Sequence, residues 1–557
     1  MKTRVDNVAL GGGAGWLAEF DRRDLLLIAV AVVLAAAVRF VFYGGLFSPD
    51  ELNTLRNGAA WWTGRFELRD ALFIHDTRPL IFVPVGWSFA AFGVSEATAL
   101  LWPFVASLAV VVLVYLIARR LFGRETAAYA VFCAAFFPLL AQEATRLLPG
   151  VVMNLLIGLC ALFFVVSEQA EKRRWMWLAA SGMAYGAVQM AGELGIVLGC
   201  LFLAAVIVWR RHRLWSYWPA VAGFAAVTLL FVLYQWAETG NPLFKLDLSK
   251  YVYAQLKTVA PHQPFYYTKL LVAPSAGGGG VFYLAAVGCL AGLFARRREA
   301  LFVALWIALT WALLDFGSVS LTEYRQLSKE VRYFSVVSVP AVILAGYGIA
   351  RVRLFAANAL AGGSSTESGF AGGGRIGRGG VAPLAVAGLL CVLVAVMSVW
   401  TLQSEKPLLN AQQAKLRTLR DHIRCYEGKP VYVTHWFWAS EVGFFMRFED
   451  AYFPTGYDPY HAVHLASADS TSMNRYVQTL APGERIGPGL LVHDEHLFEV
   501  SQGEREAWSV GRGEIPEVLA HIPPEWRLVE RVALSDRYVA ALYEIPEGAT
   551  WPSPGEP

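Results

Sequence analysis

The sequence predicts an all-α polytopic membrane domain, with about eleven transmembrane helices and interfacial helices in its first outer loop, followed by a C-terminal soluble α/β domain. Three observations predict it. Apolar stretches near the ~20 residues that a bilayer requires recur from residue 24 to residue 402. Lys/Arg clusters occupy alternate connections between those stretches. From residue 403 the composition becomes that of a small soluble domain. A chain of 557 residues that is 56% hydrophobic and 16% charged, with a mean hydropathy of +0.45, is too apolar for an ordinary soluble enzyme. The formal net charge is only +3, and no Lys/Arg cluster forms a nucleic-acid footprint, so no nucleic-acid partner is expected.

Residues 1–23, with Arg4, Arg22 and Arg23, read as a cytoplasmic N-terminus. The first apolar run, 24–43, has no small-residue cleavage site and reads as a retained helix. Further spans are expected at 99–118, 126–142, 147–166, 175–190, 194–209, 216–236, 281–295, 300–316, 333–350 and 381–402. The apolar segment 80–92 is short. Laid along or dipping into the interface, it leaves every basic cluster on one side: Arg119/Arg120/Arg124, Lys172/Arg173/Arg174, Arg210/Arg211/Arg213, Arg296/Arg297/Arg298 and Arg351/Arg353. The positive-inside rule selects that topology. Loops 44–79, 143–146, 237–280 and 318–332 then lie outside, with the tail from 403. The spans read as nearly free of charge, Glu193 and Asp315 lying near predicted ends.

The membrane domain is thus expected over 24–402, with a flexible cytoplasmic linker at 354–380 whose Gly/Ser-rich part is 361–380. In the domain at 403–557, a polar helix is expected at 408–424, strands at 431–434 and 490–492, and paired strands within 526–545. His493-Asp494-Glu495-His496 reads as a solvated turn and Trp436-Phe437-Trp438 as core packing. Five of the six cysteines fall in apolar runs, leaving Cys425 alone in the soluble part without a disulfide partner there.

The polar outer loops carry the chemistry. Asp50-Glu51 follows Pro49 and opens a stretch with Leu52, Leu55, Ala59 and Trp62 on one face, which suits an interfacial helix with both carboxylates at its N-terminus. Helix capping is the ordinary reading of such acids; a general base taking the proton of an attacking hydroxyl is the functional one. His75-Asp76-Thr77-Arg78-Pro79 follows on the same loop, adding a histidine and an arginine. In the second loop Glu143 and Arg146 are either a local ion pair or members of a polar pocket, with Arg146 facing an anion. Arg332-Tyr333 is an interfacial anchor or a further cation for an anionic headgroup. Lys245 lies in a long loop rich in lysine and aromatics that holds substrate or rests on headgroups.

Asp-Glu in the first outer loop, Arg78-Pro79 before an apolar segment ending Phe92-Gly93, the turn Arg119-Arg120-Leu121-Phe122-Gly123-Arg124, Gln142-Glu143 with Arg146, Gly240-Asn241-Pro242-Leu243-Phe244 and Arg332-Tyr333 occur in that order. As an ordered set over about residues 20–400 they resemble the C-type membrane glycosyltransferases of the protein O-mannosyltransferase and aminoarabinose-transferase kind. The resemblance implies an inverting transferase on the outer face that uses a sugar linked to a polyprenyl phosphate, with a lipid, polysaccharide or protein as acceptor. By the match Asp50 is the base, Glu51 and Glu143 are secondary acids, and Arg78 and Arg332 partner the donor phosphate. The sequence departs at Arg78-Pro79-Leu80, where many relatives have two prolines, and at Arg146-Leu147, where they have an aromatic. Some members of the wider class use a divalent cation, for which Asp50, Glu51 and Glu143 are the available acids; no metal ligands are assigned. No Gly run follows a strand and opens a helix, as a lipid-linked rather than nucleotide donor would have it. The competing reading is a transporter or flippase of lipid-linked glycans, which calls for mid-membrane charges and interrupted helices. An integral protein of the plasma (inner) membrane is expected, its N-terminus cytoplasmic and its C-terminal domain extracytoplasmic.

Overall fold

The computed structural model describes residues 20–46, 49–64, 66–71, 74–170, 172–193, 195, 198–209, 214–255, 265–273, 278–318, 327, 329, 331–360, 381–425, 431–433, 485, 487–494, 522–535 and 538–550. Helices fill these residues up to 424, and a small sheet follows. Asp21 caps α1 (Arg22–Val41): its carboxylate accepts from the amides of Arg23 and Asp24, and Asp24 accepts from the Asp21 amide. The first polar loop holds α2 (Pro49–Trp62) and α3 (Pro79–Phe92). Then come α4 (Glu96–Phe122), α5 (Arg124–Phe136), α6 (Pro138–Glu143), α7 (Pro149–Gln169), α8 (Arg174–Val188), α9 (Leu198–Trp209) and α10 (Trp218–Thr239). α11 (Phe244–Gln255) and α12 (Tyr266–Val272) precede α13 (Val281–Phe294), α14 (Arg298–Phe316), α15 (Ser338–Leu360) and α16 (Val381–Arg424).

Each of the eleven apolar stretches holds a helix among its described residues. Among the described residues seven helical segments are long and apolar enough to cross a membrane: Arg22–Val41, Glu96–Phe122, Pro149–Gln169, Trp215–Thr239, Arg298–Phe316, Val331–Leu360 and Val381–Ser404. Shorter apolar helices stand at Pro79–Phe92, Gly199–Trp209 and Val281–Phe294. The stretch 126–142 is broken into α5 and α6, because Phe137 is extended (φ −62°, ψ 116°) and Pro138 starts the second helix without an N–H to give.

The described chain groups into two compact units, one within Met1–Gly44, Trp102–Tyr234 and Ala260–Lys406, the other within Gly45–Leu101, Gln235–Val259 and Pro407–Pro557. In the first unit α15 packs on α5 and α13, α7 on α8, and α14 on α9. At one end of α1 the buried Asp24 accepts from Tyr115 Oη and from Arg124 Nε at 2.8 Å, and Arg119 Nε lies at 3.5 Å. Two arginines read as part of a basic cluster thus join α1, α4 and α5 through one carboxylate.

Toward the other end of α1 a charge departs from the expectation of nearly uncharged spans. Arg39 is wholly buried, its Nε donating to Ser107 Oγ at 2.7 Å and its Nη1 to the carbonyls of Ala35 (3.0 Å) and Ala135 (3.3 Å). It sits in the last turn of α1 and serves the carbonyl end of α5 where that helix breaks, a position that favours a cation. Val38, Ala141 and Leu402 pack together beside it.

The second unit contains the sheet. Its order is β1 (Val431–Val433), β2 (Gly489–Asp494), β4 (Tyr538–Ile545), β3 (Arg527–Ser535); β1 and β2 are parallel, the other pairs antiparallel. Tyr432, Leu491, Trp526 and Ile545 form its core. The structure lengthens three of the expected elements and overturns one expected turn. The polar helix at 408–424 is not separate but continues the last span, α16 running unbroken from Val381 to Arg424. α15 continues to Leu360, into the predicted linker, whose residues 361–380 lie outside the described ones. His493 and Asp494 are in β2, not a turn, and His493 is buried with its ring 6.2 Å from that of Tyr543. Residues 490–492 extend into a six-residue strand, Gly489–Asp494, because β2 is an inner strand with neighbours on both edges. Glu495, His496 and Trp436-Phe437-Trp438 lie outside the described residues.

Candidate active site

The predicted site residues divide between the units. Asp50, Glu51, His75, Arg78 and Lys245 belong to one; Glu143, Arg146, Arg332 and Tyr333 to the other.

In the first group, α2 opens at Pro49, whose fixed φ suits a first helical position, so Asp50 and Glu51 fall in the first turn where the helix dipole favours negative charge. The position of Asp50 is set by the helix; its side chain lies outside the described ones. Glu51 is fully buried, as are Asn53, Thr54 and Asn57. α2 lies tightly on α3: a Cβ at Gly86 would come 2.8 Å from the Gly58 carbonyl and from the Trp61 ring, so only glycine permits the approach. That contact orients the 3₁₀ turn Ile74–Thr77, which runs directly into α3.

Within this turn Asp76 is buried, accepts from Asn57 Nδ2 at 2.5 Å and lies 3.6 Å from Arg56 Nη2. Buried Arg78 brings Nη1 to 2.6 Å from His75 Nδ1. A guanidinium has only donors, so Nδ1 accepts and the imidazole carries its proton on Nε2. α11 packs on the turn and brings Lys245 with it; the Lys245 amide donates to Gln235 Oε1 at 2.7 Å. The Asn241 amide and then the Lys250 ammonium hold the Asp247 carboxyl below the usual carboxylate range, fixing the start of α11. Asp76, Arg56 and Asn57 were not picked out as site residues. The signal was the polar i, i+3, i+4 spacing of Asn53, Arg56 and Asn57 on a helix whose other face is apolar.

In the second group, Glu143 ends α6 and is buried. Gly150, in the first turn of α7, leaves the room it occupies: a Cβ there would overlap Glu143 Oε2 and come 2.9 Å from Ser335 Oγ. Ser335 belongs to the 3₁₀ segment Val331–Val337, so Glu143 and the turn carrying Arg332 and Tyr333 meet around the start of α7. The Arg332 guanidinium lies 5.4 Å from the Tyr333 ring centroid. Half-buried Arg146 is held one turn after Glu143, whose carbonyl accepts its amide at 3.4 Å, and Thr145 Oγ1 accepts from the Gly44 amide at 2.9 Å. Among the described residues no three His, Cys, Asp or Glu side chains come together as a metal site.

This helical architecture with a small C-terminal sheet is that of the C-type membrane glycosyltransferases. ArnT from Cupriavidus metallidurans bound to undecaprenyl phosphate is similar over 96% of this chain and 98% of its own, with a TM-score of 0.64 and 16% identity. In its apo state the same protein matches over 93% and 97%, at 16% identity and a TM-score of 0.59. The oligosaccharyltransferase of Archaeoglobus fulgidus in the apo form matches over 91% of this chain and 73% of its own, at 12% identity and a TM-score of 0.52. Residues 77–236 match the sequence model of the family described as dolichyl-phosphate-mannose-protein mannosyltransferase. No curated protein matches the chain by sequence. The resemblance to C-type membrane glycosyltransferases is therefore shown, by the family match and by the fold.

Proposed function

We propose that the chain is an inverting glycosyltransferase that moves a sugar from a polyprenyl-phosphate-linked donor to an acceptor hydroxyl on the extracytoplasmic face of the membrane. The observation that carries the reading is the near full-length likeness to ArnT bound to undecaprenyl phosphate, joined to the mannosyltransferase family match over residues 77–236.

Asp50, in the first turn of α2, takes the proton of the acceptor hydroxyl as its oxygen attacks the anomeric carbon. The bond from that carbon to the phosphate oxygen breaks on the opposite face, its electron pair leaving with the phosphate. Buried Arg78 is the cation for the departing charge, and its bond to His75 fixes the fork. Glu51 is a secondary acid beside the base and Lys245, on the helix packed against the turn, is a substrate contact. In the other unit Arg146, Arg332 and Tyr333 with Glu143 form a cationic and polar group suited to an anionic headgroup at the membrane surface.

The test is Asp50→Asn, which keeps shape and removes basicity. Transfer from a polyprenyl-phosphate sugar by purified protein is expected to fall roughly 10²- to 10⁴-fold, the usual span of general-base catalysis, with binding of polyprenyl phosphate retained. Transfer at the wild-type rate overturns the base assignment. Loss of glycan modification in cells lacking the protein, read by mass spectrometry, identifies sugar and acceptor.

A further inference from the structure

Outside the proposed site, Asp315 is a buried carboxylate next to the end of α14 whose two oxygens are both bonded. Oδ1 accepts from the Tyr267 amide at 3.0 Å, and Oδ2 accepts from the Thr268 amide at 3.1 Å and from Thr268 Oγ1 at 2.9 Å. Trp311 Nε1, one turn earlier on α14, donates to the same Thr268 hydroxyl at 3.2 Å. Asp315 thus binds the first turn of α12 to the end of α14.

Lys329 closes the arrangement from the other side. Its Nζ lies 3.7 Å from Asp315 Oδ1, donates to the Asp315 carbonyl at 2.9 Å and to the Leu314 carbonyl, and stands 5.1 Å from the Tyr267 ring centroid. A helix end leaves its last carbonyls without amides and favours a cation, and Lys329 meets both needs of α14. The side chains of Lys329 and Asp315 are 7% and 0% exposed, so this is no solvated surface pair; only good geometry offsets the loss of water around two charges. Burial draws the Lys329 ammonium below its ordinary pKa, and Asp315 opposes that shift. Tyr267 in turn stacks on Phe334, with centroids 5.2 Å apart and planes at 18°, two residues beyond Arg332.

We propose that Lys329, acting with Asp315, is a positioning residue for the lipid-linked phosphate: it fixes the chain entering Arg332 and Tyr333 against α12 and α14, so that the Arg332 guanidinium is presented in one orientation. This rests on the reading of Arg332 as a headgroup cation. Lys329 itself is enclosed and touches no ligand in this scheme; it acts through Arg332.

The experiment measures binding of polyprenyl phosphate, without sugar, to full-length protein in detergent micelles. Arg332→Gln, Lys329→Met and the double variant form a cycle. Each single variant is expected to weaken binding at least about tenfold, and the double variant about as much as either alone, because a loosened Arg332 has little left to lose. Lys329→Arg, whose fork reaches the same carbonyls, is expected to restore most of the affinity. If Lys329→Met does not fold, the neutral pair Lys329→Met/Asp315→Asn, which leaves no buried charge unpaired, takes its place in the cycle. Wild-type affinity in Arg332→Gln would overturn the headgroup reading itself. A weakened Arg332→Gln beside an unchanged Lys329→Met, or losses that add independently, would overturn the positioning role alone.

Discussion

Arg39 offers the sharpest check on the packing at the α5–α6 break. Its Nε and Nη1 reach Ser107 Oγ, the Ala35 carbonyl and the Ala135 carbonyl, and among the described residues no carboxylate pairs with it. Replacing it by Met removes charge and fork together. Ser107 keeps its bond to the Phe104 carbonyl at 3.0 Å, and Ala35 keeps its place in α1, so the group left stranded is the Ala135 carbonyl. One buried acceptor without a donor costs about 1–3 kcal/mol. Lys in the same place keeps a buried charge but has no planar fork to span α4 and α5, and an under-bonded buried ion costs several kcal/mol. The expected order of stability is therefore wild type, Arg39→Met, then Arg39→Lys, the reverse of what side-chain similarity suggests. Thermal unfolding of full-length protein in detergent reads it. Arg39→Lys as stable as wild type would show that any cation suffices there, and the argument from fork geometry would fail.

Gly150→Ala should act on chemistry more than on folding: the added methyl must displace the Glu143 carboxylate or Ser335, at a packing cost of about 1–3 kcal/mol, and the transfer rate should fall while expression persists. An unchanged rate would mean that the Glu143 position is not needed. In the sheet, burial lowers the His493 pKa from 6.5 to about 4. Below pH 6.5 the unfolded chain gains a proton that the folded one refuses, so stability present at neutral pH declines as pH falls toward 4, by at most about 3 kcal/mol. Unfolding of the tail, followed from pH 7 to pH 4, should show wild type losing ground to His493→Phe; parallel curves would refute the cause.

Apolar length was enough to locate the helices, because a bilayer-sized run needs no partner to be recognised. What happens inside a run was not legible, and proline shows why. Pro84 and Pro103 lie within unbroken α3 and α4, yet Pro138 stands where 126–142 divides. At the Pro138 break the Ala135 carbonyl is met by Arg39, ninety-six residues before it, a contact that no local window contains. Distance along the chain hides the second kind of feature too. Asp50-Glu51 at a helix start could be read from three residues, whereas Asp76 gains meaning only when α2 turns Asn57 and Arg56 toward it. His493 fails for a third reason: four consecutive polar residues suggest solvent, but β2 lies between β1 and β4 with Leu490, Leu491 and Val492 all buried, so the strand carries its histidine inside. Arg39 and Lys329 share one consequence. Both are cations set against helix carboxyl ends, Arg39 beside the short helix that ends in Glu143 and Lys329 three residues before Arg332. In each case a charge enclosed at a helix terminus fixes a neighbouring segment whose own polar side chain has a proposed role.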